Sequence, residues 1–239
     1  MERPDIAMRL VGLAGAAVLL AAFFSAARAD AAEQPLAKNM RILFIGNSFT
    51  YANDLPGMLI GMMATKGISL ETRSVTPGGC TLKKHWDDGN AVKAIREGGW
   101  NYVVIQEQSQ MPVLHPAETL KYAALLVGEA RKVGAEPVFY MTWAYKADPN
   151  MQPGLAATYT KAAKDANCLL APVGLAWRRA LKEDPKLVLH AKDGKHPSPQ
   201  GTYLAASVFY ATLLRRDPAG LPGRLVIDTP VRPNVIQRR

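Results

Sequence analysis

Residues 41–50 read Arg41-Ile-Leu-Phe-Ile-Gly-Asn-Ser-Phe-Thr50, an apolar run that ends at a glycine and is followed by a hydroxyl side chain. A short apolar run bounded by turn residues is typical of a buried parallel strand. Reactive groups in open α/β sheets collect at the carboxyl ends of such strands. The stretch therefore predicts a strand at residues 40–45 that places Asn47 and Ser48 at the mouth of a sheet. Taken alone, a Gly-Asn-Ser sequence is most often an ordinary turn.

Further apolar runs alternate with helix-like segments along the chain. Four more strands are predicted at residues 68–75, 102–106, 137–142 and 169–173. Helices are predicted at residues 55–66, 82–97 with an interruption near Asp88-Gly89, 116–133, 155–167, 175–183 and 199–215. This alternation predicts a three-layer α/β/α fold with a five-stranded, parallel, doubly wound sheet. One domain, residues 38–220, is expected to precede a tail, residues 221–239, with one candidate edge strand at residues 224–227.

Residues 1–29 have the pattern of a secretory signal peptide. Arg3 and Arg9 precede an apolar run at residues 10–24, and Ala27-Arg28-Ala29 supplies an A-x-A cleavage site. The run is short for a membrane span, although an uncleaved anchor and a cut after Ala31 remain alternatives. The pattern predicts an exported bacterial protein, periplasmic or secreted, with no stable membrane insertion after the signal is removed.

Charge and cysteine content narrow the expected partners. The chain has 29 Lys and Arg against 20 Asp and Glu, a formal net charge of +9. Removing residues 1–29 takes away three basic and two acidic side chains and leaves +8. The basic residues are scattered, so no nucleic-acid partner is expected. Cys80 and Cys168 are the two cysteines, and either a disulfide or two separate thiols is compatible with an oxidising compartment.

A histidine late in the chain provides a partner for Ser48. His196 follows Asp193 by three residues, in a glycine-containing loop directly before the last predicted helix. At this spacing the carboxylate can accept a hydrogen bond from one imidazole nitrogen, which leaves the other nitrogen to accept a serine proton. Pro197 and Pro199 stiffen the loop. An Asp-x-x-His sequence alone is most often a surface loop, so the pairing with Ser48 carries the hypothesis.

These blocks, in this order, resemble the SGNH (GDSL-like) hydrolases. Gly46-Asn47-Ser48 is similar to the first block of that family, Gly79 in its glycine-rich loop to the second, and Asp193 with His196 to the last. The resemblance spans nearly the whole mature chain. It implies that Ser48 is the nucleophile, that Asp193 and His196 complete a catalytic triad, and that backbone N–H groups of Ser48 and Gly79 bind the oxyanion.

The third block departs from the family pattern, which is usually Gly-x-Asn-Asp. Here the same place reads Gln106-Glu-Gln-Ser-Gln110. Gln106 aligns with the glutamine of a Gln-Gly-Glu sequence in sialate O-acetylesterase-like relatives and is ranked first as the oxyanion donor. Gln108 lies on the same face by strand alternation and is ranked second. A gap-free comparison chooses Gln110.

The resemblance implies an exported serine esterase, and a small-molecule or carbohydrate ester with a short acyl group, such as acetyl, is the favoured substrate. A lysophospholipase, a thioesterase or an O-acetyltransferase with the same triad remains an alternative. A non-catalytic carbohydrate-binding protein on the same fold is the alternative of another class. No cofactor is expected, and no metal, because the four histidines and two cysteines do not have metal-site spacing.

Five other side chains near these blocks have two interpretations each. His85 and Trp86 either line the pocket beyond Gly79 or pack in the interior. Trp143 and Tyr145 follow the fourth strand and either stack on a sugar or pack at the rim. Glu107 is either a second carboxylate near the site or a residue satisfied by solvent or an arginine.

Overall fold

The structure, a computed structural model, describes residues 38–223. The predicted signal peptide, residues 1–29, and the candidate edge strand, residues 224–227, lie outside the described residues. Export and the limits of the domain therefore remain predictions. No helix within residues 38–223 is long and apolar enough to cross a membrane.

Five strands and nine α-helices follow one another along the described chain. The strands are β1 (Asn39–Ile45), β2 (Ser69–Val75), β3 (Tyr102–Ile105), β4 (Glu136–Tyr140) and β5 (Leu169–Ala171). The helices are α1 (Ser48–Tyr51), α2 (Leu55–Ala64), α3 (Leu82–Asp88), α4 (Asn90–Arg96), α5 (Met111–Leu114), α6 (Pro116–Lys132), α7 (Met151–Asp165), α8 (Val173–Glu183) and α9 (Pro199–Leu214). A 3₁₀ turn, Ala52–Asp54, joins α1 to α2.

All strands are parallel, in the order β2-β1-β3-β4-β5. The chain therefore leaves β1 toward one edge of the sheet through β2 and returns past β1 to β3. Ligands bind at such a reversal of strand order, outside the carboxyl ends of the strands on either side. Ile45 at the end of β1 is in register with Ile105 at the end of β3, so the segments that follow both strands meet. The predicted fold class is confirmed.

Side-chain alternation along β1 divides the core into two layers. Ile42 and Phe44 pack against α2, α8 and α9 on one face of the sheet. Leu43 and Ile45 pack against α3, α4, α6 and α7 on the other face. All four side chains are fully buried, and burial of an aliphatic or aromatic side chain contributes about 1.5–3 kcal/mol. This two-sided burial explains why β1 is apolar at consecutive positions.

Some boundaries differ from the predicted ones for local reasons. Helix α7 begins at Met151, four residues before the predicted start, because Pro153 falls in the first turn, where a missing N–H is tolerated. The predicted interruption at Asp88-Gly89 is confirmed, since Gly89 adopts φ of +74° and separates α3 from α4. Strand β5 ends before Pro172, which cannot donate to the ladder.

Candidate active site

Ser48 is the first residue of α1, immediately beyond the end of β1. Asn47 caps this helix, and its Oδ1 accepts the N–H of Phe49 at 3.1 Å. The N–H of Ser48 lies at a helix start, where no intrahelical acceptor is available. Gly46 permits the close approach behind this turn, because a Cβ there would lie 2.5 Å from Oε1 of Gln106. The turn thus presents a half-buried hydroxyl and a free N–H together.

The structure brings His196 and Asp193 to Ser48 across 148 residues of sequence. His196 Nε2 lies 2.8 Å from Ser48 Oγ, and His196 Nδ1 lies 2.5 Å from Asp193 Oδ2. The other carboxylate oxygen, Oδ1, accepts the N–H groups of Lys195 at 2.9 Å and of His196 at 3.0 Å. The hydrogen bond from His196 is the main reason that the pKa of Asp193 is lowered to about 2. Asp193 is therefore an anion at neutral pH and favours the proton on Nδ1, which leaves Nε2 as the acceptor.

A stack of aromatic rings contacts the imidazole ring of His196. The ring of Phe49 meets His196 edge-on at 5.4 Å and stacks on Trp143 at 4.7 Å. Trp143 stacks in turn on Trp177 at 3.9 Å, is 1% exposed, and donates from Nε1 to the carbonyl of Lys195. For Trp143 the structure therefore supports packing and not stacking on a sugar. This packing stabilises the loop that carries His196.

Tyr145 is half-buried, and its hydroxyl lies 2.6 Å from that of Ser109. Since Ser109 belongs to the third block, this contact joins the segments that follow β3 and β4. Tyr145 thus lies at the rim of the active edge, by which we mean the carboxyl end of the sheet where Ser48 and His196 meet.

The glycine-rich loop after β2 contacts the turn at Ser48 directly. The carbonyl of Cys80 accepts a 3.1 Å hydrogen bond from Asn47 Nδ2, which fixes the loop beside Ser48. Gly79 adopts φ of +66°, a conformation that favours glycine. Cys80 itself is buried, and burial raises the pKa of its thiol to about 11. A thiol that stays protonated is a poor nucleophile, so Ser48 is the stronger nucleophile candidate at this edge.

Gln106 is fully buried and all its amide hydrogen-bonding capacity is used. Its Oε1 accepts the N–H of Asn47 and the hydroxyl of Thr50, each at 3.0 Å. Its Nε2 donates to Asn47 Oδ1 at 3.0 Å and to the carbonyl of Glu107. An amide nitrogen has two hydrogens, so Gln106 has none left for an oxyanion. The sequence ranks Gln106 first for that role, but in this geometry its amide instead stabilises the turn at Ser48.

Gln108 is half-buried, and the oxygen of its side-chain amide is hydrogen-bonded while the nitrogen is not. Its Oε1 accepts the N–H groups of Gln110 at 2.8 Å and Met111 at 3.2 Å, at the start of α5. Its Nε2 donates to no residue among 38–223. Gln110, the gap-free choice, is exposed. Gln108 is therefore the half-buried glutamine of the third block whose amide nitrogen has no partner among residues 38–223.

The sequence did not decide the roles of two buried residues, Glu107 and His85. Glu107 is 1% exposed, and its Oε1 accepts the N–H groups of Leu82 at 2.9 Å and Gln108 at 2.6 Å, which joins the start of α3 to the third block. Burial raises the pKa of this carboxyl group. His85 is 2% exposed, and its Nε2 donates to the carbonyl of Gly46 at 2.7 Å, so it packs behind the turn and does not line the pocket. Burial lowers its pKa and keeps it neutral.

The two cysteines do not form a disulfide. Cys80 follows the carboxyl end of β2, whereas Cys168 precedes the amino end of β5. The strands are parallel, so the two thiols belong to opposite ends of the sheet. Of the two arrangements left open by the sequence, separate thiols are the one observed.

The fold has relatives among solved structures, although no family model and no curated protein matches the chain. A protein described as an SGNH hydrolase from Slackia heliotrinireducens is 33% identical and superposes with a TM-score of 0.65. The match covers 73% of this chain and 99% of that protein. The chain belongs to the SGNH hydrolases. The family expected from the order of the motifs is confirmed.

Two further structures share the SGNH fold at lower identity. A DUF4886 family protein from Bacteroides uniformis ATCC 8492 is 21% identical, with a TM-score of 0.63 and coverage of 77% of this chain and 86% of that one. An acetyl xylan esterase is 17% identical, with a TM-score of 0.59 and coverage of 72% and 98%. At this identity they show the common architecture alone.

Proposed function

We propose that this SGNH hydrolase cleaves short acyl esters of carbohydrates with a Ser48-His196-Asp193 triad. One observation carries the proposal: an unbroken hydrogen-bond chain runs from Asp193 through His196 to Ser48. These three side chains are the nucleophile, the base and the group that orients the base in a serine acyl-transfer mechanism.

The reaction follows from the positions of these groups. His196 Nε2 takes the proton of Ser48 as Oγ attacks the ester carbonyl and forms a tetrahedral oxyanion. The imidazolium, stabilised by Asp193, then protonates the leaving alcohol as the C–O bond breaks and an acyl-enzyme remains. Water, deprotonated by His196, attacks the acyl-enzyme and releases the carboxylic acid and the free serine.

Three donors are proposed for the oxyanion: the N–H of Ser48, the N–H of Gly79 and Nε2 of Gln108. Ser48 supplies a helix-start N–H, where the helix dipole also favours negative charge. Gly79 lies in the loop tied to Asn47, and Gln108 has an uncommitted amide nitrogen. Each such donor typically contributes about 3–4 kcal/mol to the transition state.

The openness of the site supports a short acyl group and a larger alcohol. The side chains of His196 and Asp193 remain 40% and 46% exposed. Two cavities within residues 38–223, of about 560 and 280 Å³, are lined by other residues, between helices on one face of the sheet. Tyr51 is 46% exposed and stands three residues after Ser48. A tyrosine ring is an amphipathic surface suited to a carbohydrate.

A panel of p-nitrophenyl esters from acetyl to decanoyl tests this proposal. We expect kcat/KM to be highest for acetyl and to fall with chain length, because the open site offers a long acyl chain little apolar surface. Release of acetate from an acetylated xylooligosaccharide provides the carbohydrate arm. A maximum at octanoyl or decanoyl would contradict the short-acyl assignment, and preferential transfer of acetyl to an added sugar would identify a transferase.

Substitutions at the two glutamines separate their roles. Gln108→Glu keeps the Oε oxygen that caps α5 but removes the N–H donor, so kcat should fall about 10²–10³-fold with little change in Tm. Gln106→Ala should instead lower the free energy of unfolding by about 1–3 kcal/mol, since it leaves buried partners unpaired. Gln110→Ala is the exposed control and should change neither kcat nor the free energy of unfolding. Full activity in Gln108→Glu would exclude Gln108 as a donor.

A further inference from the structure

The chain reverses sharply just after the helix that carries Ser48. Asn53 and Asp54 both adopt left-handed backbone conformations, with φ of 52° and 54°. Such conformations are disfavoured for residues with a side chain and persist only where surrounding contacts compensate. Asp54 has a local compensation, because it caps α2 through a 3.1 Å hydrogen bond from the N–H of Gly57. Asn53 has no such role in its own segment.

The amide of Asn53 reaches the segment that contains His196. Its Nδ2 donates to the carbonyl of Pro197 at 2.9 Å and to the hydroxyl of Thr202 at 3.0 Å. Pro197 directly follows His196, and Thr202 lies in the first turn of α9. A carbonyl can only accept, so the nitrogen end of the amide must face Pro197. Both amide hydrogens are therefore used across a gap of more than 140 residues.

The other backbone hydrogen bonds of the His196 loop lie within its own segment or reach the segment after β4, where the N–H of Lys146 donates to the carbonyl of Gly194 at 2.8 Å. The carbonyl of His196 accepts the N–H of Ala191 at 2.8 Å, and the N–H of Ser198 donates to the carbonyl of Leu189 at 2.7 Å. These bonds shape the loop without relating it to Ser48. Asn53 makes that link from a position five residues after the serine, beside a longer contact of 3.5 Å between the hydroxyl of Thr202 and the carbonyl of Ala52.

We propose that Asn53 is a positioning residue that sets the separation between Ser48 Oγ and His196 Nε2. The inference rests on the proposed triad. Proton transfer from the serine depends on this separation, and displacement of a reacting group by 1 Å can lower a rate by about 10²-fold. Asn53 touches neither of the two reacting atoms and acts through the two backbone segments that it joins.

Asn53→Gly provides the sharpest test. Glycine adopts the left-handed conformation freely, so this variant removes the two hydrogen bonds and also the strain. The rate of Ser48 labelling by a fluorophosphonate is measured well below the Tm of every variant, together with kcat and KM. We expect labelling and kcat to fall by about 10–10²-fold with KM nearly unchanged. Asn53→Asp, which keeps the shape but cannot donate to Pro197, should show a similar fall.

Asn167→Gly is the matched control. Asn167 is exposed and has φ of 47°, but it precedes β5 at the opposite end of the sheet, so this variant should label at the wild-type rate. Thr202→Val removes one of the two acceptors of Asn53 and should slow labelling less than Asn53→Gly, because the hydrogen bond to Pro197 remains.

Two results would overturn the inference in different ways. Wild-type protein labelled at Ser48, with Asn53→Gly and Asn53→Asp labelled equally fast, would remove the positioning role and leave the proposed function intact. Wild-type protein not labelled at Ser48 would remove the proposed function and the inference together.

Discussion

Replacing Ser48 by alanine should lower kcat for p-nitrophenyl acetate by on the order of 10⁵–10⁶-fold. The substitution removes the only oxygen that lies within hydrogen-bonding distance of His196 Nε2 among the described residues. Cys80, the nearest thiol in sequence, is buried with a pKa of about 11 and cannot take over the attack. The fold should persist, because Asn47, and not Ser48, caps α1.

The measurement combines steady-state kinetics with the intact mass after fluorophosphonate treatment. Ser69→Ala is the control, since Ser69 is exposed at the amino end of β2, away from the active edge. The control should retain wild-type kcat and take up one label. Residual activity in Ser48→Ala above about one hundredth of wild type, or a label found on another residue, would overturn the nucleophile assignment.

Asp193→Asn should lower kcat by about 10⁴-fold, because it forces the wrong tautomer of His196. Oδ1 of Asp193 accepts two backbone N–H groups, from Lys195 and His196. An amide would keep its oxygen there and turn its NH₂ group toward His196 Nδ1. That nitrogen would then have to accept, the proton would move to Nε2, and Nε2 could no longer take the proton of Ser48.

The pH profile gives an independent readout of Asp193. The pKa of Asp193 is about 2, mainly because of its hydrogen bond with His196, so it stays ionised throughout pH 4–8. The wild-type pH profile in that range should therefore contain no step that comes from Asp193. Asp165→Asn, in an exposed pair with Lys161, is the control and should keep this profile, since such pairs contribute little. An Asp193→Asn variant with more than a tenth of wild-type kcat would contradict the orienting role.

The fold could be predicted from the sequence because the patterns that indicate strands and helices extend over only a few residues. The apolar run before Gly46 indicated β1, and consecutive apolar positions indicated burial on both faces of a sheet. Gly89 marked the break between α3 and α4. Asp193 and His196 were identifiable because a spacing of three residues in a glycine-containing loop allows the carboxylate to fold back onto the ring.

The third block could not be resolved in the same way. Strand alternation places Gln106 and Gln108 on one face, so periodicity cannot rank them. Their difference is that Gln106 bonds to Asn47 and Thr50, in the cap and the body of α1, whereas Gln108 bonds only to its own neighbours. Partners 56–59 residues away decide which amide is free, and a one-dimensional pattern contains no record of them.

The stretch from Arg41 to Thr50 thus determined its own strand, the turn after it and the exposure of a serine at the end of the sheet. The strand order, which places the end of β1 beside the end of β3, and the approach of His196 across 148 residues were decided by tertiary packing. Tertiary packing also decided the contacts of Asn53 with Pro197 and of His85 with Gly46. Backbone propensity and side-chain period act over a few residues, whereas these contacts depend on how separate segments pack together.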